Sequence, residues 1–229
     1  MRNIFVSGNY KKDMTINKDK NLAFNFLVTG FRDYKASRFL LNNNFYMQGV
    51  TLASSSVEKY LKAILIINNL KRAIHLDKLK EIKKAFQIIN NPILDELDEN
   101  FLKVLGDAYA LRYYDKVQGS ISFGFFVNQL LAELDFTINL IDQRLSGKSE
   151  ITGEIVLSPY QIAVNNQDEI IYQNNYILNN IDKKDFMERV SKNYNLHIEN
   201  NGHEHEIIGD GLRVEEYKGK MIRLLDIKF

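Results

Sequence analysis

Cysteine is absent from this 229-residue chain, and proline occurs only at Pro92 and Pro159. Without cysteine there are no disulfides, thiolate metal sites, thiol nucleophiles or thiol redox motifs. A reducing compartment is compatible with that composition. No charge-free apolar run approaches the roughly 18 residues of a membrane span. The first apolar run is too short for a secretory leader, and Lys11 and Lys12 follow it. A soluble, cytoplasmic setting with no membrane partner is expected. Charge of one sign is lacking too. The net charge of +1 gives no bulk field toward nucleic acid or membrane. What is present is ordinary: 45% hydrophobic and 26% charged residues, which excludes disordered and collagen-like chains. The length suits one large domain or two small ones.

Helical spacing dominates the first part. A first helix is expected over 22–41, with Leu27, Phe31, Tyr34, Ser37 and Leu41 on one stripe. A second covers 45–68, with Val50, Ala53, Val57, Leu61, Ile64 and Leu65 inward. A third covers 76–89. Asn91-Pro92 reads as the cap and first residue of a fourth. A fifth covers 121–145, carrying Phe123, Phe126, Leu130, Leu134, Ile138 and Ile141. The density of Phe123, Phe125 and Phe126 predicts a homodimer through this part.

The pattern changes after Leu145. Ser146-Gly147-Lys148-Ser149 reads as a linker, and strand-like runs follow at 151–157, 160–164 and 169–173. A short helix fits 183–192. Asn201-Gly202, Asp210-Gly211 and Lys218-Gly219 punctuate the rest as tight turns of a β-meander. The expected architecture is α+β: an arm over 1–21, an antiparallel bundle of about five helices over 22–146, and a small antiparallel-sheet α+β unit over 147–229. Charge divides at the same place. Residues 1–150 hold 21 Lys and Arg against 16 Asp and Glu, and residues 151–229 hold 9 against 13. The positive excess is densest at Lys59, Lys62, Lys71, Arg72, Lys78, Lys80, Lys83 and Lys84, a solvated helix face or a phosphate-facing patch.

Residues Ser56-Val57-Glu58-Lys59-Tyr60-Leu61-Lys62-Ala63 resemble the A-x-E-x-x-L-K-A-like pattern in the second helix of HEPN domains, the "higher eukaryote and prokaryote nucleotide-binding" family. Ser56 stands where that pattern has alanine. Asp33–Asn43 looks like the family's first helix. His75-Leu76-Asp77-Lys78-Leu79 is similar to the H-D-L-x-x-L entry of its third helix, one residue out of spacing. Arg112-Tyr113-Tyr114-Asp115 looks like the R-Y-P-D-type end of its fourth. The resemblance covers 22–146 and implies a HEPN-like bundle. It implies nucleotide or RNA binding, homodimerisation, and partnership with a nucleotidyltransferase in toxin–antitoxin or defence settings. The ligand-binding residues it suggests are Arg112, Tyr113, Asp115, Glu58, Lys62 and His75.

The residues also have local readings. Glu58 and Lys62 form an i,i+4 pair in the favoured orientation. Arg112, near the inner end of the fourth helix, takes either a carboxylate, with Glu58 and Asp115 as candidates, or a phosphate. Catalytic members of the family carry an arginine followed, after roughly four to six residues, by a histidine that moves a proton from a ribose hydroxyl. No histidine follows Arg112 at that distance, and His75 comes too soon after Arg72. A non-catalytic binding module is therefore expected. The alternatives are a divergent ribonuclease using Arg112 with a tyrosine or aspartate, and a protein-interaction adaptor. His203 and His205 share a strand face, and His197 lies on the paired strand. The three read either as a three-histidine metal site or as the polar face of a hairpin; the second is taken, so no metal and no cofactor is expected.

Overall fold

The computed structural model describes residues 9–112, 120–145, 147–148, 155–199 and 203–212. Two long helices, α1 (Asn9–Asn42) and α2 (Tyr46–Ile67), form an antiparallel hairpin. α1 begins well before residue 22, inside the segment expected as an arm. No apolar stripe marks those residues, so periodicity is blind to them. α2 buries Val50, Ala53, Val57, Leu61, Ile64 and Leu65, the expected stripe. The two axes approach closely. Ser37 Oγ donates to the Gly49 carbonyl at 2.7 Å, and Ser56 Oγ donates to the Gly30 carbonyl at 2.8 Å. The serine in place of alanine at 56 is thus fully satisfied within the helix pair.

A 3-10 turn (Leu76–Lys78) leads into α3 (Leu79–Ile88), and a second (Pro92–Glu96) precedes α4 (Glu99–Ala110). Asn91 caps as expected, accepting from the Ile93 amide at 3.0 Å. The turn it opens stops at Glu96, and α4 takes its own cap, Asp98, which accepts from the Phe101 amide at 2.6 Å. The helix expected over 121–145 is a strand followed by a helix: β1 (Ile121–Phe126) and α5 (Val127–Arg144). Ile-Ser-Phe-Gly-Phe-Phe fits both periods, and a partner strand decides it. Phe123, Phe125 and Phe126 are buried within this chain, so their density gives no surplus for a second copy.

β2 (Gly147–Lys148) pairs with β3 (Ile155–Val156). Three short helices follow: α6 (Pro159–Asn165), α7 (Glu169–Tyr172) and α8 (Lys183–Met187). The runs at 160–164 and 169–173, expected as strands, are therefore α6 and α7. Their caps are the reason: Ser158, the cap of α6, forms a capping box with Gln161 in its first turn, and Asp168 accepts from the Ile170 amide. β4 (Ser191–Ile198) and β5 (Glu204–Leu212) make a hairpin, and the sheet order is β1-β4-β5, all antiparallel. Asp210-Gly211 lies inside β5, while Asn201-Gly202 and Lys218-Gly219 fall outside the described residues.

The core does not divide near residue 147. Tyr160, Ile171, Phe186 and Tyr194 belong to the same buried cluster as Tyr34, Leu61 and Leu130. At its centre Arg38, fully buried on α1, pairs with Asp135 on α5 and donates to the carbonyls of Ile170 and Gln173. Tyr34 donates to Asp135 at 2.8 Å. Lys35 pairs with Asp168 on the same side.

Candidate functional site

Residues from α2, the turn before α3 and the end of α4 come together. α2 supplies Glu58 and Lys62, and Lys62 Nζ lies 2.6 Å from Glu58 Oε1. Glu58 is only 8% exposed, so its charge needs such partners. His75 opens the 3-10 turn before α3 with extended backbone and makes no capping bond. Its Nδ1 lies 3.4 Å from Glu58 Oε2, within ion-pair reach but misaligned for a hydrogen bond. The last turn of α4 brings Tyr109, whose ring stacks on the imidazole at 6.4 Å and 29°. Arg112, just past that helix and exposed, lays its guanidinium 3.6 Å over the Tyr109 ring centre. Its Nε donates to the Tyr109 carbonyl at 3.3 Å. The row runs Lys62, Glu58, His75, Tyr109, Arg112.

Gly106 seats this row. A Cβ there would stand 2.6 Å from the carbonyl oxygen of Leu76, the residue after His75. Only glycine lets the turn carrying His75 lie against α4. Neither Gly106 nor Tyr109 stands out among the motif residues. The signal for Tyr109 is its i−3 spacing from Arg112, which puts both on one helical edge. Of the six expected site residues, Glu58, Lys62, His75 and Arg112 come together. Tyr113 and Asp115 lie outside the described residues.

A guanidinium over an aromatic face can still meet a phosphate oxygen. The aromatic and imidazole faces suit stacking with a base. The basic stretch is less uniform than its sequence. Lys59 pairs with Asp33 at 2.5 Å, Lys62 with Glu58, and Lys83 with Glu99 at 2.7 Å. Hydrogen bonds from Lys103 and Lys83 hold the Glu99 carboxyl down at about 2. Arg72, Lys78, Lys80 and Lys84 are exposed.

The strongly perturbed titratable groups lie elsewhere. Burial raises Tyr34, Tyr60 and Asp135, with Arg38 opposing the rise at Asp135. Perturbed groups often mark active sites. Here they are sealed: Tyr34, Tyr60 and Asp135 have no exposed surface. A cleft of about 500 Å³ lined by Phe86, Asn90, Pro92 and Asp95 touches none of the row.

The family model of the HEPN domain matches residues 26–122, from α1 into the start of β1. That span includes all of Glu58, Lys62, His75, Tyr109 and Arg112 and excludes β4 and β5. No curated protein and no solved structure matches the chain. Among the described residues, no helix is long and apolar enough to cross a membrane.

Proposed function

We propose that the helical part is a non-catalytic binding module for a nucleotide or a short RNA, and that the row from Lys62 to Arg112 meets the ligand. The carrying observation is that residues distant in sequence, on α2, before α3 and after α4, line up around Tyr109 within the matched HEPN span. Arg112 takes a phosphate, Tyr109 and His75 offer stacking faces, and Glu58, paired with Lys62, sets a carboxylate beside the imidazole. Tyr113 and Asp115 belong to the ligand-contacting set that the same family reading implies.

The module acts as a homodimer. The shallow apolar groove formed by Ala36, Phe39, Leu40 and Ile170, with Phe39 48% exposed, supports a contact there. A nucleotidyltransferase partner in a toxin–antitoxin or defence system follows from the same family reading. Sedimentation at rising concentration tests the dimer, and a concentration-independent monomer refutes it.

The binding test uses the full chain with ATP and with a short RNA across a salt series. Each phosphate met on a single strand adds about −0.7 to the log–log salt slope. Two or three such phosphates make binding fade between low and physiological salt. Absence of binding at low salt would favour the adaptor reading. One observation favours a second reading: His75 brings an imidazole from another element to Tyr109, the ring over which Arg112 lies. A ribonuclease using His75 as general base would cleave RNA without metal and lose about 10²–10⁴-fold in rate on His75→Ala. The binding reading predicts no cleavage.

A further inference from the structure

The turn that carries His75 also carries cations that the row does not use. Ile74 and Leu76 are buried on either side of His75, whose backbone is extended. Successive residues of extended backbone point to opposite sides, so the two apolar neighbours anchor the turn while His75 faces out. The Leu76 carbonyl lies against Gly106, which fixes the same turn against α4. Arg72 and Lys78, three residues to either side of His75, are exposed. The Lys78 amide donates to the His75 carbonyl at 2.9 Å, which closes the turn and holds the two backbones together. Over three residues of chain, the Cα of Arg72 lies no more than about 10 Å from that of His75. Other cations of the bundle are spent on carboxylates: Lys35 on Asp168, Lys59 on Asp33, Lys103 on Glu99 and Arg144 on Glu96. Arg72 and Lys78 meet no carboxylate at ion-pair distance among the described residues, and Asp77, beside Lys78, pairs with neither.

The geometry points to a second phosphate subsite at this turn, formed by Arg72 and Lys78, which makes the ligand of the row an oligonucleotide rather than a mononucleotide. The inference rests on the reading that Arg112 takes a phosphate, and adds the next phosphate along the strand. An exposed cation with no carboxylate partner meets a phosphate without first breaking an ion pair. The Arg112 guanidinium and the His75 ring both neighbour the Tyr109 ring, at 3.6 and 6.4 Å from its centre. A strand whose base stacks there can set one phosphate at Arg112 and the next against the turn that holds His75. The two phosphates of a nucleoside diphosphate share a bridging oxygen and cannot divide in that way. Lys80 and Lys84 lie on α3, past the turn, and are not part of the subsite.

The test is calorimetric titration of the full chain at low salt with AMP, with ADP and with the 5′-phosphorylated dinucleotide pApA. The dinucleotide should bind about tenfold more tightly than AMP, and ADP should gain little. The double variant Arg72→Ala/Lys78→Ala, both positions exposed, should remove the advantage of pApA and leave AMP binding as in the wild type. In a salt series the log–log slope for pApA should be steeper than that for AMP by about 0.7, and the variant should lose that increment. Arg112→Ala should weaken all three ligands. A dinucleotide no tighter than AMP, an equal gain from ADP, or a double variant that keeps the advantage overturns the subsite and leaves the role of Arg112 standing. Absence of AMP binding, or wild-type AMP binding by Arg112→Ala, overturns the reading beneath it, and the subsite falls with it.

Discussion

Arg38 and Arg112 make opposite uses of the same side chain. Arg38 is fully buried, and its guanidinium is spent on Asp135 and on the carbonyls of Ile170 and Gln173. Arg112 is exposed and lies over the Tyr109 ring. The first joins α1, α5 and the segment around α7 into one core. The second adds little to that core and presents charge to solvent. A buried arginine with a buried carboxylate reports on architecture, whereas the exposed one, over an aromatic ring, is the one to which we assign a ligand. Perturbed titration follows the first kind here, which is why it points away from the candidate site.

The largest expected effect comes from removing the region that Arg38 secures. A chain cut after Lys148 loses β4 from the edge of β1 and both carbonyl partners of Arg38. It also exposes Ile121, Phe123 and Phe125. Such a fragment should lack a cooperative unfolding transition by circular dichroism. A sharp transition with native helicity would mean that the two halves are independent. Next in size is Arg38→Ala, which strands Asp135 without its partner. Denaturant unfolding should show a loss of about 3–5 kcal/mol, and replacing both members by Met and Leu should recover part of it.

Asp142 offers a subtler probe of the same region. Burial pushes its carboxyl up to about 6, against the hydrogen bond from Ser158 Oγ at 2.8 Å. The folded state thus holds this proton more tightly than the unfolded chain. Its share of stability is full below about pH 4 and is lost as pH rises through about 6. Asp142→Asn keeps an acceptor for Ser158. At pH 8 it should stabilise the protein by about 1–2 kcal/mol, with a smaller gain at pH 4. An equal effect at both pH values would show that the carboxyl titrates normally.

Much of this contrast is legible in the residues alone. The α2 stripe, the Asn91 cap and the α8 segment follow from spacing and capping chemistry. Motif residues point to Glu58, Lys62, His75 and Arg112 one by one, and the four converge in the fold. Spacing cannot show long-range pairing. Ile121–Phe126 fits a helix until β4 lies beside it, and α6 and α7 look like strands until Ser158 and Asp168 cap them. Arg38 carries no sequence signal, because its carbonyl partners lie some 130 residues away. Tyr109 is hidden for a related reason: its role depends on His75, which Gly106 admits from another element.

At the exposed end, stability should barely respond. Arg112→Ala removes one cation–aromatic interaction and should shift unfolding by no more than about 0.5–1 kcal/mol. A larger loss would make Arg112 a second structural arginine.

If the Arg112 row meets the ligand, and the basic stretch at large does not, the two must separate by mutation. Short-RNA affinity measured at one low salt concentration for the wild type, Arg112→Ala and the double variant Lys80→Ala/Lys84→Ala tests this directly. Arg112→Ala removes a charge-assisted hydrogen bond to phosphate and should bind about 10–100-fold more weakly. The double variant, on the exposed face of α3, should lose only a small, salt-dependent part. A greater loss in the lysine variant than in Arg112→Ala, or wild-type binding by Arg112→Ala, would contradict the role given to the row.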